Sequence, residues 1–411
     1  MDNQKMLGRI IIVLLSIFVV MSGYGVLLPV LPYFTERLAL KSGVVADEDI
    51  NYHIGILTSI YPFFQLLFAV VWGRLSDRFG RKVLIIMGLA GFVVMQLLTG
   101  LATSLSMLYI ARILGGIFSS SIIPVGNAYL SDVTNSSQRK KVLAWSGVAV
   151  STGVIAGPMI GGYLAQTNLH FNTTFGHLLL DKFSVPFLAI ALLGIITLVV
   201  VVLRLKNPKK QHANNQQVKL KMTGMLANPV FLKLLLLSLV LQLAITLFET
   251  VFSVYAKDIL VFDTKQVGLG FMLCGLVMAV LQPFFASFNE NTLPLRLQLI
   301  TGFLLAAVAL GVFPLMTTDF YVFTMIVIFA TGAAIITPNL IASISFIDEH
   351  NTGAYLSAQT SVNSIGQVLG PLLGMWIYSF GSSWPFLSIG VILLFTTLIL
   401  FPKLKLRTSE A

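Results

Sequence analysis

Two ionisable side chains, Arg112 and Glu249, fall well inside apolar stretches of a 411-residue chain in which only 10% of the residues are charged. A charge at bilayer depth costs about 2.5–3.5 kcal/mol or more on insertion scales, so each asks for a partner or a task. Glu249 stands sixteen residues beyond Lys233, about 24 Å along a helix, in the half of its stretch far from that basic end. A carboxyl held there can release its proton when wetted from one side and take one up from the other. Once deprotonated it can receive an organic cation. The plainer alternative is a carboxyl that hydrogen-bonds a neighbouring helix or reaches the interface. Arg112 is expected about one turn into its own stretch, where a pair with Glu249 is geometrically open. Its alternative is a guanidinium that bonds backbone carbonyls and shapes the helix. Asp132, at the other end of the same stretch, completes the set of candidate proton-handling groups.

A second group is a run of charge. Residues 73–85 read Gly-Arg-Leu-Ser-Asp-Arg-Phe-Gly-Arg-Lys-Val-Leu-Ile, a short loop with Arg74, Arg78, Arg81 and Lys82 around one acid, Asp77. The segment Ile347-Asp348-Glu349-His350-Asn351 carries no Lys or Arg and precedes another apolar helix. A helix N-terminus favours a nearby anion, so Asp77 can dock there while Arg74, Arg78 and Arg81 pair with Asp348 and Glu349. Glu290, facing the cations at 139–141, offers a weaker copy. Together these form a candidate gate; the alternative is solvated surface charge that serves topology and contributes little stability.

The elements that position these residues follow from composition. Mean hydropathy is +0.90 and 56% of the residues are apolar, far above a soluble domain. Stretches long enough to cross about 30 Å of hydrocarbon lie near 9–31, 53–73, 83–103, 107–130, 142–165, 185–204, 232–256, 266–288, 297–316, 320–343, 353–378 and 384–402. Twelve spans make an all-α membrane protein. With the N-terminus inside, the inner segments hold 20 of the 26 Lys and Arg. This asymmetry places both termini in the cytoplasm, accounts for the net charge of +10 without nucleic acid, and leaves anionic lipid as the basic surface's partner.

The chain also repeats itself. Gly153, Gly157, Pro158 and Gly161 recur 213 residues later as Gly366, Gly370, Pro371 and Gly374, and the same offset carries Asp77 onto Glu290. Two six-span bundles, 1–204 and 229–411, are therefore expected, joined by a cytoplasmic linker at 205–228. Parallel repeats with a substrate site near the midplane are the logic of rocking carriers. Glycines at i, i+4 and i+8 let another backbone approach closely; their matching placement favours contact across the interface between halves, and simple helix packing is the alternative. Gln359 and Asn363, with Gln367, form a polar stripe that either bonds a partner helix or lines a wet cavity. Phe18, Tyr24, Tyr61, Phe248 and Phe252, with abundant Met, are candidates for an adaptable apolar cavity, with plain packing as the alternative.

Other chemistries find no foothold. Cys274 is the single cysteine, so neither a disulfide nor a thiolate metal cluster is expected. The five histidines fall in loops or at span edges without metal-ligand company. No phosphate-binding Gly-x-x-x-x-Gly-Lys-Ser/Thr occurs, and no nucleophile–base pair suggests an enzyme. The first span is too long to be a removable signal peptide.

The loop at 73–82, with Gly73, Asp77, Arg78, Gly80, Arg81 and Lys82 at every defining position, resembles that of the major facilitator superfamily. Gly153-x-x-x-Gly157-Pro158-x-x-Gly161-Gly162 resembles the span-five motif of its twelve-span drug:proton antiporters. Arg112-x-x-x-Gly116 is similar to the family's embedded arginine motif, with Gly115 where a glutamine is common. Gly25-x-x-x-Pro29-Val-Leu-Pro32 resembles the end of span one in tetracycline and multidrug exporters, although Phe18–Gly23 lacks the acid often found there. The resemblance implies a bacterial cytoplasmic-membrane carrier, functional as a monomer, that exports amphipathic or cationic small molecules in exchange for protons by alternating access. It needs no cofactor beyond the proton gradient. A narrow carrier for a metabolite, siderophore or sugar, a lipid translocase, and a non-transporting sensor on the same scaffold stay open as alternatives.

Overall fold

The computed structural model describes residues 2–44, 46–166, 173–175, 178–207, 225, 227–286, 294–348 and 351–400. Thirteen α-helices run through them: α1 Asp2–Lys41, α2 Asp47–Phe79, α3 Arg81–Gly100, α4 Leu105–Ser119, α5 Ile122–Val133, α6 Ser136–Leu164, α7 Ser184–Arg204, α8 Pro229–Asp258, α9 Thr264–Ala286, α10 Leu295–Val312, α11 Asp319–Ser345, α12 Thr352–Tyr378 and α13 Trp384–Leu400. A hairpin of strands β1 (Thr173–Phe175) and β2 (Leu178–Leu180) joins α6 to α7, an addition to the all-helical expectation.

Ten of these elements are long and apolar enough to cross a membrane, with α4 and α5 counted together over Leu105–Val133. The 27-residue α12 is long enough but diluted by its Ser, Thr, Asn and Gln side chains, and α13 is a shorter apolar helix. Each of the twelve expected spans thus falls on a helix among the described residues. The break within the fourth has a local cause. Pro124 offers no N–H to the carbonyl of residue 120, while the hydroxyls of Ser120 and Ser121 bond the carbonyls of Ile117 (2.7 Å) and Phe118 (2.8 Å).

Two boundaries differ from expectation. α1 continues through Pro29 and Pro32 to Lys41, since membrane helices tolerate proline where neighbours re-satisfy the freed carbonyls. The charged segment at 73–85 is not a loop: α2 runs to Phe79 and α3 begins at Arg81. Only Gly80 separates them, at φ 93° and ψ 147°, a conformation open chiefly to glycine.

The chain divides into two compact units, one of residues 1–214 and 261–272, the other of 215–260 and 273–411. In the first, α1 packs along α6, and α3 lies against α4 and α7. In the second, α8 packs along α12, and α10 lies against α11 and α13. The pairings repeat because the duplicated sequence repeats the small residues that permit them. The second unit's core is aromatic: Phe248 stacks on Phe252 (5.3 Å between centroids), meets Phe329 at 4.8 Å, and Phe313 stacks on Phe386 at 4.6 Å.

Candidate functional site

Arg112 lies about two turns into α4, and its side chain is 2% exposed. Its Nε donates to the carbonyl of Leu57 on α2 at 2.9 Å. Its guanidinium carbon sits 5.0 Å from the centroid of the Tyr61 ring, an arrangement worth about 0.5–2 kcal/mol. Tyr24 of α1 meets the same ring at 5.9 Å. The neighbouring glycines permit this geometry. A Cβ on Gly116 would stand 2.5 Å from the Tyr61 carbonyl oxygen, and one on Gly115 would stand 2.8 Å from Met95 Cγ and 3.2 Å from the Tyr61 ring. Arg112 therefore takes the carbonyl-bonding role set out as its alternative, and it does so inside the first unit.

Glu249 is half-buried on α8, flanked by the buried Phe248 and Thr250. Its backbone carbonyl accepts the Ser253 hydroxyl at 2.9 Å, and its carboxyl lies within electrostatic reach of the Cys274 thiol on α9. No side chain on α8 before it, back to Lys233, carries a charge.

At the Gly80 turn, Arg81 pairs with Asp132 of α5 (Nε to Oδ2, 3.1 Å) and also bonds the Ser76 hydroxyl. Asp132, grouped with the proton-handling residues on sequence, is a partly exposed carboxylate at the end of α5, paired with Arg81 at this turn. Asn207 accepts from the Lys82 backbone N–H (3.1 Å), and Lys82 Nζ donates to the Val202 carbonyl at 2.8 Å. Arg74 and Arg78 are exposed, with Arg78 over its neighbour Phe79. Asp348 accepts from the backbone and side-chain amides of Asn351. Glu290, Glu349 and the Asp77 side chain lie outside the described residues. Both partners of the Arg81–Asp132 pair are partly exposed, so its stability contribution is about 1 kcal/mol or less. Asp132→Asn is accordingly expected to leave the melting temperature of purified protein within about 3 °C of wild type. A larger fall would make Asp132 a structural residue.

Several sequence expectations are corrected by packing. Phe248 and Phe252, proposed as cavity lining, belong to the closed aromatic core of the second unit and are 1% and 0% exposed. Gln359 donates to the Ser238 hydroxyl of α8 at 3.1 Å, so it bonds a partner helix instead of a wet cavity. Asn363, on the same stripe, has a buried Oδ1 without a hydrogen-bond partner among the described residues. Removing the hydroxyl with Ser238→Ala leaves the Gln359 amide short of a partner and is expected to destabilise by about 1 kcal/mol. A melting curve unchanged from wild type would assign that bond no weight. Phe18 contributes its backbone: its carbonyl accepts from Ser22 and faces Gly153.

The glycine stripes take the helix-packing role set out as the alternative to contact between halves. Gly153, Gly157 and Gly161 face α1, and Gly366, Gly370 and Gly374 face α8, each within its own unit. Pro158 is beside Gly25, and Pro371 is buried inside α12. The Pro158 carbonyl meets Gly268, and Gly162 meets Thr264 and Gly268, at the start of α9, a segment that clusters with the first unit. Sequence reasoning missed the cluster at the end away from Gly80. There Arg37 pairs with Asp181 and lies over Phe34 and Phe183, and Tyr33 donates to the Phe262 carbonyl at 2.6 Å. The one available signal was Asp181 itself, whose Oδ1 caps the start of α7 through the N–H groups of Phe183 and Ser184.

A family model described as Major Facilitator Superfamily matches residues 13–358 and 262–410. The chain is 28% identical to the multidrug resistance protein 2 of Bacillus subtilis over 392 residues, covering 93% of this chain and 92% of that protein. It is 28% identical to the class B tetracycline resistance protein of Escherichia coli over 366 residues, 87% of this chain and 85% of that one. A crystal structure of a bacterial homologue of the human lysosomal transporter Spinster superposes with a TM-score of 0.79 at 15% identity, covering 98% of both chains.

Proposed function

The chain belongs to the Major Facilitator Superfamily, and from that premise we propose that it exports amphipathic organic compounds across the cytoplasmic membrane in exchange for protons. It is a multi-pass membrane carrier; the drug-like cargo, the proton as coupling ion and alternating access are our reading. The observation that carries it is Glu249, a half-buried carboxyl deep in the apolar α8, in a chain whose relatives include proteins named for multidrug and tetracycline resistance. A carboxyl in that setting is protonated on one face of the cycle and deprotonated on the other, so net proton entry can drive cargo out. Arg112 supports the cycle as a fixed buried charge. In this reading the Gly80 turn, with Arg74, Asp77, Arg78 and the Arg81–Asp132 pair, is the gate on the cytoplasmic side; the excess of Lys and Arg supports that orientation, with both termini on the same side. In this reading the carrier works as a monomer.

The reading is tested in proteoliposomes with an imposed pH gradient, following a cationic dye and a neutral drug. Movement of either compound that requires the gradient supports it. If neither moves under any gradient, drug export fails and a narrow-specificity carrier of the same fold takes its place.

A further inference from the structure

Among the described residues the charge on Arg112 has no carboxylate counterpart. Its Nε is used on the Leu57 carbonyl and one face is covered by Tyr61, yet Nη2 is buried with no hydrogen-bond partner among the described residues. No described carboxylate pairs with it; the titratable groups facing it are the phenols of Tyr61 on α2 and Tyr24 on α1. A buried guanidinium with an unmet donor is costly unless something supplies the missing acceptor.

The local sequence explains why no described residue does. Residue 115 follows Arg112 by three and so shares its helix face. A long polar side chain there would offer an acceptor, but this chain has Gly115, and Tyr61 and Met95 fill the space a side chain would need. The ring covers the guanidinium's face, Nε is used, and Nη2 is the buried donor left without an acceptor among the described residues. A guanidinium donor of this kind is suited to a charged carboxylate or sulfonate oxygen. The half-buried Tyr24 marks the less enclosed edge of the site, and the two rings offer apolar surface to an aromatic body.

We propose that Arg112 is the receptor for an anionic group on the transported compound, so that the cargo includes amphipathic aromatic acids and zwitterions. That the bound compound is cargo rests on the export reading above; the binding site itself does not.

The test uses purified full-length protein in detergent with no gradient, titrated with 1-pyrenebutyrate and with its methyl ester. Wild type is expected to bind the acid at least tenfold more tightly than the ester. Arg112→Gln is expected to bind the two alike, with ester affinity kept, and Arg112→Lys, which restores charge without the guanidinium, to fall between. Equal wild-type affinities, no binding of either compound, or an acid preference that survives Arg112→Gln would each overturn the proposal. The wild-type comparison decides even if a variant does not fold. A protein that prefers the acid yet pumps nothing strikes the export reading alone, and one that pumps but binds acid and ester alike strikes only the anion site.

Discussion

Replacing Glu249 with Gln is expected to abolish gradient-driven accumulation of substrate, by at least about 100-fold, while substrate binding and downhill exchange persist. The substitution keeps the volume of the side chain and removes only its ability to exchange a proton. The bond from Ser253 is kept, because it uses the backbone carbonyl of residue 249 and not its carboxyl. The buried Phe248 and Thr250 on either side are untouched. A loss of about 100-fold in uphill transport corresponds to about 2.7 kcal/mol of lost coupling. The measurement is the internal-to-external ratio of a cationic dye in proteoliposomes at a fixed pH difference, with dye binding to the same preparation as the control for folding. A variant that concentrates dye as well as wild type removes Glu249 from the coupling step and leaves Arg112 as the next residue to test.

How much of this was legible in the sequence depended on the range of the interaction concerned. Span positions follow from apolar length, a local property, and all twelve fall on helices. The glycine stripes were legible as close-approach surfaces because small residues at i, i+4 and i+8 have few other uses in a membrane helix. Their partners were not, since a stripe does not state which backbone it meets: α1 for Gly157 and α8 for Gly370 emerge only from the packing. The same limit applies to charge. Arg81 and Asp132 are separated by 51 residues, and each was assigned a separate role until the fold brought them together. Phe248 and Phe252 read equally well as cavity lining or core, because periodicity reports a face and not what covers it; Phe313 and Phe329 cover that face, with Phe386 stacked on Phe313. The turn at Gly80 was misread as a loop for a different reason. Charge density suggested exposure, which is correct for Arg74 and Arg78, but exposure at a membrane surface is compatible with helix, and one left-handed glycine suffices to separate two helices.

Gly157→Val is expected to disrupt the first unit more than any conservative change elsewhere in α6. A Cβ at this position would lie 2.5 Å from the Ser22 carbonyl oxygen, 2.7 Å from Gly25 Cα and 3.0 Å from the Gly25 carbonyl carbon. All three are backbone atoms of α1, so no rotamer change can make room and the two helices must separate. The separation would also undo the mirrored fit, in which Gly25 stands against Pro158 and Gly157. Without a hydrophobic driving force between helices in lipid, close packing is itself the main source of their association, and forcing extra atoms into such a contact costs about 1–3 kcal/mol or more. For a unit of this size that lowers the melting temperature by roughly 3–10 °C. Gly147 on the same helix is the control, since a Cβ there meets nothing within 4 Å; Gly147→Ala is expected to be neutral or slightly stabilising because alanine is the better helix former. Thermal unfolding of the two purified variants beside wild type separates the cases. Equal melting for Gly157→Val and Gly147→Ala would mean that α1 and α6 are not held at backbone contact.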